Sequence, residues 1–252
     1  MSYYINYIGI SHTGKIRKNN QDSIVCNNKH ISESYTNGYQ RKSGRVSNSG
    51  TSVFAVFDGM GGLSHGEIAS SMAAKIIEDF KFGKQVVSCL SDYCTNANEE
   101  ICNFSTQKNL GPIGTTAAIL VFTKRGISLC NIGDSKIFRI ENGVIEQISK
   151  DHTIKCAWGN QKLLTQNLGI PGEEMRIAPY LAEGTYQKGD IYLICSDGLT
   201  DMVSKKKIRD IVHDVSFEYL GETLLNEALD SGGRDNISII LCKVEKSKFF
   251  DF

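Results

Sequence analysis

Two apolar runs in this chain each end in an aspartate followed by a glycine, a pattern that can present a carboxylate beside a buried strand. In VFAVFDGMGG the run from Val53 to Phe57 leads into Asp58, and in DIYLICSDGL a similar run leads into Asp197. An Asp-Gly pair can also form a hairpin turn between two strands. Asp58, however, is followed by apolar residues at helical spacing, from Ile68 to Phe80. The pattern therefore predicts a strand-to-helix corner with Asp58 at the end of the strand.

Four more aspartates lie in predicted turns next to apolar segments: Asp22, Asp134, Asp201 and Asp235. Taken singly, each is more often a turn residue or a helix cap than a ligand. Six such carboxylates could converge only if a cation neutralised their mutual repulsion. All-oxygen ligation suits hard ions such as Mg²⁺ or Mn²⁺. Two such ions, about 3.5 to 4 Å apart, could activate a bridging water and stabilise in-line displacement at phosphorus.

The elements that must position these acids follow one another in blocks of strands and blocks of helices. The strands are nearly continuous apolar runs, which predicts that both of their faces are covered. The predicted strands are Tyr4 to Ile10, Ser52 to Phe57, Thr115 to Phe122, Ile127 to Ile132, Lys136 to Ile140, Ile191 to Cys195 and Ile237 to Val244; the predicted helices are Gly66 to Phe80, about Gln85 to Phe104, Lys205 to Val215 and Phe217 to Leu229.

This order predicts an α+β fold, an antiparallel β-sandwich flanked by pairs of helices in four αββα layers. Short turns, including Gly133-Asp134-Ser135 and Glu141-Asn142-Gly143, predict an antiparallel meander through the middle of the chain. The polar, turn-rich segment 27–50 predicts a long surface loop inserted into the domain. With three prolines and no linker composition, residues 1–252 are expected to form a single domain.

Composition excludes several classes of function. The chain has 28 basic and 28 acidic residues, so its charge favours neither nucleic acid nor an anionic membrane as a partner. No apolar run approaches 18 residues and the amino terminus lacks a signal-peptide pattern, so we expect a soluble cytoplasmic protein. The eight cysteines form no C-x-x-C pair, which favours free thiols in a reducing compartment.

Order and spacing together resemble one family, the metal-dependent protein serine/threonine phosphatases of the 2C type in their compact bacterial form. The resemblance runs from about Gly9 to Val244. It is carried by GKIRKNNQDSI, VFAVFDGMGG, GTTAAILVF, LCNIGDSKIFRI, KDHT, LLTQNLGI, ICSDGLTDMV and GGRDNISIILCKV, in the family's order. It implies two packed antiparallel sheets flanked by helix pairs, with two Mn²⁺ or Mg²⁺ ions in a cleft at one edge.

The resemblance also implies roles for individual residues. Asp58 would bridge both ions and the carbonyl of Gly59 would bind one of them. Asp197 and Asp235 would complete the shell of one ion, and Asp22 would serve the other. The catalytic set is then Asp58, Asp197 and Arg17.

The resemblance also implies roles for a third metal site and for binding of the substrate phosphate. Asp134 and Asp201, together with Asp197, correspond to a weaker third metal site in bacterial members. Arg17 matches the arginine that grips the substrate phosphate, for which a planar guanidinium is suited. Asn236 would orient phosphate or water; alternatively, it caps the turn that enters the last strand.

The chain also departs from the family pattern. Gln21 replaces a glutamate found beside the metals in some relatives, and Met60 replaces a histidine that serves as a general acid in eukaryotic ones. His65 is expected to start a helix and His152 to fix a loop by hydrogen bonding. The segment between His152 and Leu164 is shorter than the flap that relatives usually have at this place. We therefore expect a trimmed flap at about 153–163, which alters substrate preference.

The resulting prediction is a cytoplasmic, monomeric phosphoprotein phosphatase that removes phosphate from serine or threonine by direct attack of water. Its expected partner is a serine/threonine kinase. No Cys-x5-Arg loop is present for a thiol nucleophile. Two alternatives stay open at this point. One is another two-metal hydrolase acting on phosphodiesters or small phosphate esters, and the other is a metal-poor pseudophosphatase that binds phosphoproteins without hydrolysing them.

Overall fold

Two antiparallel sheets form the centre of the structure, a computed structural model that describes residues 2–31, 39–61, 65–155 and 162–246. Every strand pair within the described residues is antiparallel. In chain order the strands are β1 Tyr3–His12, β2 Asp22–Cys26, β3 Lys29–His30, β4 Gln40–Ser47, β5 Ser52–Gly61, β6 Ile113–Thr115, β7 Ala117–Phe122, β8 Ile127–Ile132, β9 Lys136–Glu141, β10 Val144–Gln147, β11 Thr153–Lys155, β12 Lys162–Leu164, β13 Tyr180–Gly184, β14 Ile191–Cys195 and β15 Ile237–Lys246.

The strands are divided between two large sheets and a small hairpin. Sheet A has the order β10-β9-β14-β15-β1-β4, and sheet B has the order β13-β8-β7-β5-β2-β3, with β6 also paired to β5. Strands β11 and β12 pair only with each other. The helices are α1 Gly66–Asp79, α2 Val86–Lys108, the single turn α3 Asp197–Thr200, α4 Lys205–Asp214 and α5 Phe217–Asp230.

Alternation along the strands builds three apolar layers. In β5, for example, Phe54 and Val56 point between the two sheets, whereas Val53, Ala55 and Phe57 point towards α1 and α2. Strand β15 divides its side chains in the same way between the inter-sheet layer and helices α3 to α5. Both faces of the central strands are thus covered, which explains their continuous apolar sequences and confirms the predicted four-layer αββα sandwich.

The inter-sheet layer ends in polar residues at one edge of the sandwich. Continuing the alternation of Ile24 and Val56 by one step places Asp22 and Asp58 on the same inner face of sheet B. The same step from Ile194 and Ile240 places a serine at the equivalent edge of sheet A on each strand. The strands that form the core therefore also deliver the polar groups of the candidate site.

Most predicted elements lie within a few residues of the observed ones, and Ile127–Ile132 and Ile191–Cys195 agree at both ends. The strand carrying Asp58 was predicted too short. It continues to Gly61, so Asp58 lies inside β5 rather than at its end. The continuation is possible because β6 pairs with Gly59–Gly61 and extends the ladder that β7 begins.

The prediction of a surface loop over 27–50 is wrong for Gln40–Ser47, which forms β4 at the edge of sheet A. Polar contacts hold this strand: Arg45 stacks over the ring of Tyr4 at 4.1 Å, and Arg41 pairs with Glu222 at 3.2 Å. An edge strand with charged side chains carries no apolar alternation that a sequence pattern could detect. Residues 32–38 of the segment lie outside the described residues.

The predicted meander is also wrong at Gly133-Asp134-Ser135. Strand β8 belongs to sheet B and β9 to sheet A, so this turn carries the chain from one sheet to the other. A hairpin and a crossover at the edge of a sandwich both need only a short turn, so turn length cannot distinguish them. The crossover matters because it places Asp134 at the junction of the two sheets.

The segment of the predicted trimmed flap begins and ends as the short β11–β12 hairpin, and residues 156–161 lie outside the described residues. The altered substrate preference stays a prediction. In the part of the chain that the structure describes, no helix combines the length and the apolar character needed to cross a bilayer.

Candidate metal-dependent active site

Asp22 and Asp58 form the centre of the candidate site because β2 and β5 place them directly opposite each other. Opposed residues of antiparallel strands have Cβ atoms about 5 Å apart, so two carboxylates in this position repel each other. Ser196 Oγ donates to Asp22 Oδ2 at 2.9 Å, whereas Asp22 Oδ1 is buried and has no hydrogen-bond partner among the described residues. A buried oxygen without a donor is costly unless a ligand satisfies it.

Burial and mutual repulsion raise the pKa of these carboxyls. Burial raises the pKa of Asp22 to about 6, although hydrogen bonds from Ser238 and Ser196 oppose the shift. The pKa of Asp58 lies well above its ordinary value, first because it is desolvated and then because Asp22 and Asp197 are charged nearby. The fold therefore holds these acids close together and destabilises their ionised forms.

Asp197 joins the cluster from the other sheet, as the first residue of α3. Burial, followed by the charges of Asp134 and Asp201, raises its pKa to about 7. The following glycine is required by packing, since a Cβ on Gly198 would collide with the carbonyl oxygen of Asn236. The Asp-Gly pair thus lets α3 lie against the backbone of the turn that carries Asp235.

Asp134 and Asp201 lie on the Asp197 side of the site. Burial is the main cause of the raised pKa of Asp134, and Asp201 is one of the charges that add to it. Lys136 contributes the opposite charge, donating to the Asp134 carbonyl at 2.7 Å and pairing with Asp151 at 3.2 Å. The charges of Asp134 and Asp201 thus both act on Asp197, and the third metal site stays a prediction.

Arg17 lies at the open side of the cluster, bound to Asp235. Its Nη2 donates to Asp235 Oδ2 at 2.6 Å, and this bond is the main reason why the pKa of Arg17 is raised. The charges of Asp58 and Asp197 act in the same direction. About half of the Arg17 side chain is exposed, at 52%, so the guanidinium can reach a ligand that enters from solvent.

Asn236 is held within the protein by hydrogen bonds at both ends of its side-chain amide. Its Nδ2 donates to the carbonyls of Thr13 and Asn19 at 2.8 and 2.9 Å, and its Oδ1 accepts from the backbone N–H of Gln21 at 2.8 Å. The side chain is also buried. Asn236 therefore positions the segment that carries Arg17 and Asp22 rather than capping its own turn, and its role in orienting phosphate or water stays a prediction.

The hydrogen bond from the Gln21 N–H to Asn236 also affects Gly59. In β2 and β5, Gly59 lies opposite Gln21, and its N–H donates to the Gln21 carbonyl at 3.1 Å. A regular ladder would return a bond from the Gln21 N–H to the Gly59 carbonyl. Here that N–H donates to Asn236 instead. The Gly59 carbonyl thereby loses its ladder donor, which leaves it free to bind a cation; that role stays a prediction.

Substituting Asn236 with alanine should loosen the segment from Thr13 to Gln21. The change leaves two carbonyls and one N–H without their partner, so we expect the free energy of unfolding to fall by about 1 to 3 kcal/mol. Loss of positioning around metal ligands should lower kcat/KM by roughly 10- to 100-fold. Urea unfolding and phosphate-release kinetics measure both effects, with the exposed Asn96→Ala on α2 as the control. Wild-type stability and activity of Asn236→Ala would contradict the positioning role of Asn236.

Gly59 cannot carry a side chain without moving the backbone around it. A Cβ at this position would collide with the carbonyl oxygens of Gly66 and Gln21. Gly59→Ala should therefore destabilise the protein by about 1 to 3 kcal/mol in urea unfolding. Gly50→Ala is the matched control, because a Cβ there meets nothing within 4 Å. Equal stability of the two variants would show that the Gly66 and Gln21 carbonyl oxygens do not pack against Gly59 as closely as described.

A hydrogen-bond network behind Asp22 was missed in the sequence. Ser196 Oγ accepts from Ser238 N at 3.0 Å, and Ser238 Oγ lies 2.9 Å from Ser11 Oγ, to which Asn20 Nδ2 donates at 2.8 Å. These buried hydroxyls fix the Asp22 carboxylate. The available signal was that Ser196 and Ser238 stand at inward-facing positions of otherwise apolar strands.

The structure also places the residues that depart from the family pattern. Gln21 donates from Nε2 to Glu67 Oε2 at 3.3 Å, so a carboxylate stands next to the neutral amide. Met60 follows Asp58 by two residues on β5. His65 is the residue before α1, as predicted, with a left-handed backbone at φ 82°. His152 Nδ1 accepts from Gly133 N at 3.3 Å, which confirms that it fixes the loop carrying Asp134.

The residues fit divalent metal ions in their chemistry. The unpartnered Asp22 Oδ1, the Gly59 carbonyl without its ladder donor and the raised pKa values all indicate a site whose charge a cation would balance. Among the described residues, however, no three Asp, Glu, His or Cys side chains are already arranged as ligands of one ion. Asp235 is turned to Arg17, and the remaining carboxylates repel one another.

Comparison with known proteins agrees with this architecture. The family model for protein phosphatase 2C matches residues 39–231, and the chain belongs to that family. The protein phosphatase PhpP of Streptococcus pneumoniae is 28% identical over 258 residues, which cover 94% of this chain and 96% of PhpP. The serine/threonine protein phosphatase PstP of Mycobacterium tuberculosis is 26% identical over 256 residues, covering 95% of this chain and 45% of PstP.

A solved structure shares the fold over nearly the whole chain. The catalytic domain of PstP, crystallised in complex with two manganese ions, has a TM-score of 0.77 and 25% identity, covering 97% of this chain and 100% of that domain. The family predicted from the sequence and the fold predicted for it are both confirmed.

Proposed function

We propose that this protein hydrolyses phosphoserine and phosphothreonine in proteins, using divalent metal ions held by the aspartate cluster. The observation that carries the proposal is the convergence of carboxylates from four separate segments, Asp22, Asp58, Asp197 and Asp235, with Arg17 beside them. Membership of the protein phosphatase 2C family and the names of its relatives as serine/threonine phosphatases support it.

The residues divide into ligands and positioning groups. Asp58, with Asp22 and the Gly59 carbonyl on sheet B and Asp197 and Asp235 on sheet A, would hold two ions between the sheets. When bound, the ions would activate a water molecule for attack on phosphorus and stabilise the charge on the phosphate oxygens. Arg17 would bind the phosphate through its planar guanidinium. Asn236, Ser196 and Ser238 would keep the ligands in position.

Several finer assignments are part of the same proposal. Mn²⁺ is bound by the PstP catalytic domain, and Mg²⁺ meets the same all-oxygen preference. Asp134 and Asp201, with Asp197, would hold a third and weaker ion. We further propose that residues 1–252 form one phosphatase domain that acts in the cytoplasm as a monomer, reversing a serine/threonine kinase in a signalling pathway.

The direct test is Mn²⁺-dependent phosphate release from a phosphothreonine peptide, with and without a chelator. Asp197→Asn should abolish release while retaining the fold by circular dichroism. Hydrolysis of bis(p-nitrophenyl) phosphate at a comparable kcat/KM would favour the phosphodiesterase alternative. Binding of the phosphopeptide with no phosphate release at any metal concentration would favour the pseudophosphatase and overturn the proposal.

A further inference from the structure

A groove beside the carboxylate cluster is not used by the residues discussed so far. It has a volume of about 840 Å³, which lies in the range of specific ligand sites. Met60 lies at one end, and the walls come from β6, the carboxyl-terminal turns of α2 and the segment 167–171. We refer to this feature, lined by Met60, Thr106, Ile113, Asn167, Ile170 and Glu174 among others, as the Met60 groove.

Buried hydrogen bonds hold the walls of the Met60 groove in place. The side chain of Asn98 on α2 accepts from the N–H groups of Gly169 and Ile170 at 2.7 and 3.0 Å and donates to the Ile170 carbonyl at 3.0 Å. Leu168 and Thr115 exchange two backbone hydrogen bonds, of 2.9 and 3.0 Å. The segment 167–171 is thus fixed both to α2 and to β6, and the groove is preformed.

The lining is mainly apolar. Met60, Ile113 and Ile170, with two prolines, supply hydrocarbon surface, and Glu174 is the only charged residue among those that the structure places in the lining. Burial raises the pKa of the Cys102 thiol on α2, and the charge of nearby Glu174 adds to this rise. Such a lining suits an uncharged apolar side chain and disfavours an acidic one.

Strand β5 carries one residue of the Met60 groove and one residue of the carboxylate cluster. Asp58 and Met60 are two residues apart on this strand, so their side chains lie on the same face, about 7 Å apart along it. This distance equals two residues of an extended peptide. A substrate whose phosphate lies over the carboxylate cluster would therefore place a near neighbour of the phosphorylated residue at Met60.

We propose that the Met60 groove binds the substrate chain next to the phosphorylated residue and selects a large aliphatic side chain, such as leucine, within about three positions of it. The proposal rests on the proposed phosphatase function and adds a substrate class to it. Burial of one aliphatic side chain on this lining gives about a tenfold preference in kcat/KM over serine at the same position.

A set of phosphothreonine peptides with a single leucine at each position from −3 to +3, in a serine and glycine background, tests the preference. One position should raise kcat/KM about tenfold over the parent peptide. Arginine at that position should give less than leucine, and aspartate less than serine. Equal kcat/KM for all positions, or a preference for arginine, would overturn the proposal.

A substitution that fills the groove locates the preference. Thr106 is exposed on the groove side of α2, and Thr106→Trp should reduce the leucine effect to less than about twofold. Thr95→Trp, on the same helix three turns away and outside the groove, is the matched control and should keep the full effect. Persistence of the leucine effect in Thr106→Trp would overturn the assignment to this groove.

Hydrolysis of p-nitrophenyl phosphate separates this inference from the proposed function. This small substrate does not reach the groove, so its turnover should be the same in the parent, Thr106→Trp and Thr95→Trp. Turnover of p-nitrophenyl phosphate without any peptide preference would overturn the inference alone. Absence of turnover on every phosphate ester in Mn²⁺ would instead overturn the phosphatase function on which the inference rests.

Discussion

Replacing Asp58 with asparagine should lower kcat by about a thousandfold or more, since a metal-bound site contributes several kcal/mol to stabilisation of the transition state. Asp58 lies at the centre of the cluster, facing Asp22 across the β2–β5 ladder and influenced by the charge of Asp197. The measurement is phosphate release from a phosphothreonine peptide at saturating Mn²⁺.

The same variant should be more stable than the parent when metal is removed. Because the pKa of Asp58 is raised in the folded state, the folded parent binds more protons than the unfolded chain, and its stability falls as the pH rises from about 4 through the pKa values of Asp22, about 6, and Asp197, about 7. Asparagine has no proton to lose, so it never adds a negative charge to the cluster. At pH 8 in a chelator, we expect a melting temperature higher by roughly 2 to 4 °C.

Adding Mn²⁺ should reverse this order. The parent gains stability by binding metal in the folded state only, whereas Asp58→Asn gains little. Asp92→Asn, an exposed change on α2, controls for loss of one negative charge and should match the parent in both conditions. Equal melting curves for Asp58→Asn and the parent, with and without metal, would contradict convergence of the carboxylates.

The sequence could indicate the aspartates because most of them stand in or next to a segment that is apolar on both faces. At Asp22, Asp58 and Asp197 a charged residue interrupts a core segment, which is a local and visible event. The glycines after Asp58 and Asp197 were also informative, and the structure shows that both are needed for close backbone contact. Local patterns of this kind identify what a strand end carries.

The sequence alone could not predict the features that depend on which strands become neighbours. Asn236 was expected to orient phosphate or water or to cap its own turn, but in the structure its side chain bonds residues more than 200 positions away. Ser196 and Ser238 are ordinary serines until β14 and β15 bring them together behind Asp22. The crossing of the chain between sheets at Asp134 has the same origin, since it depends on sheet assignment and not on turn chemistry.

Arg17→Ala should lower kcat/KM for phosphopeptides by about a hundredfold, mainly by raising KM. The reason is that the phosphate loses the positive charge and the bidentate hydrogen bonds of the guanidinium. Arg17→Lys keeps the charge but not the planar fork, so it should recover only part of this loss. The phosphodiesterase alternative predicts tolerance of both changes. Steady-state kinetics on a phosphothreonine peptide distinguishes these results.

The ion pair in the structure predicts a second effect of the opposite sign. Arg17 holds Asp235 at 2.6 Å, and a metal ion that uses Asp235 must compete with the guanidinium for this carboxylate. Removing Arg17 should therefore strengthen Mn²⁺ binding. Because both partners are partly exposed to solvent, the gain should be at most about fivefold in Kd.

Arg234→Ala provides the matched control, since it removes the same charge from the residue next to Asp235 and leaves the Arg17 pair intact. Titration of Mn²⁺ by calorimetry should then show tighter binding for Arg17→Ala than for Arg234→Ala, although Arg17→Ala is the poorer enzyme. Weaker binding in both variants would mean that Asp235 is not a metal ligand. Tighter binding combined with weaker catalysis would assign Asp235 to the metal and Arg17 to the phosphate, with the two paired to each other only until substrate and ion arrive.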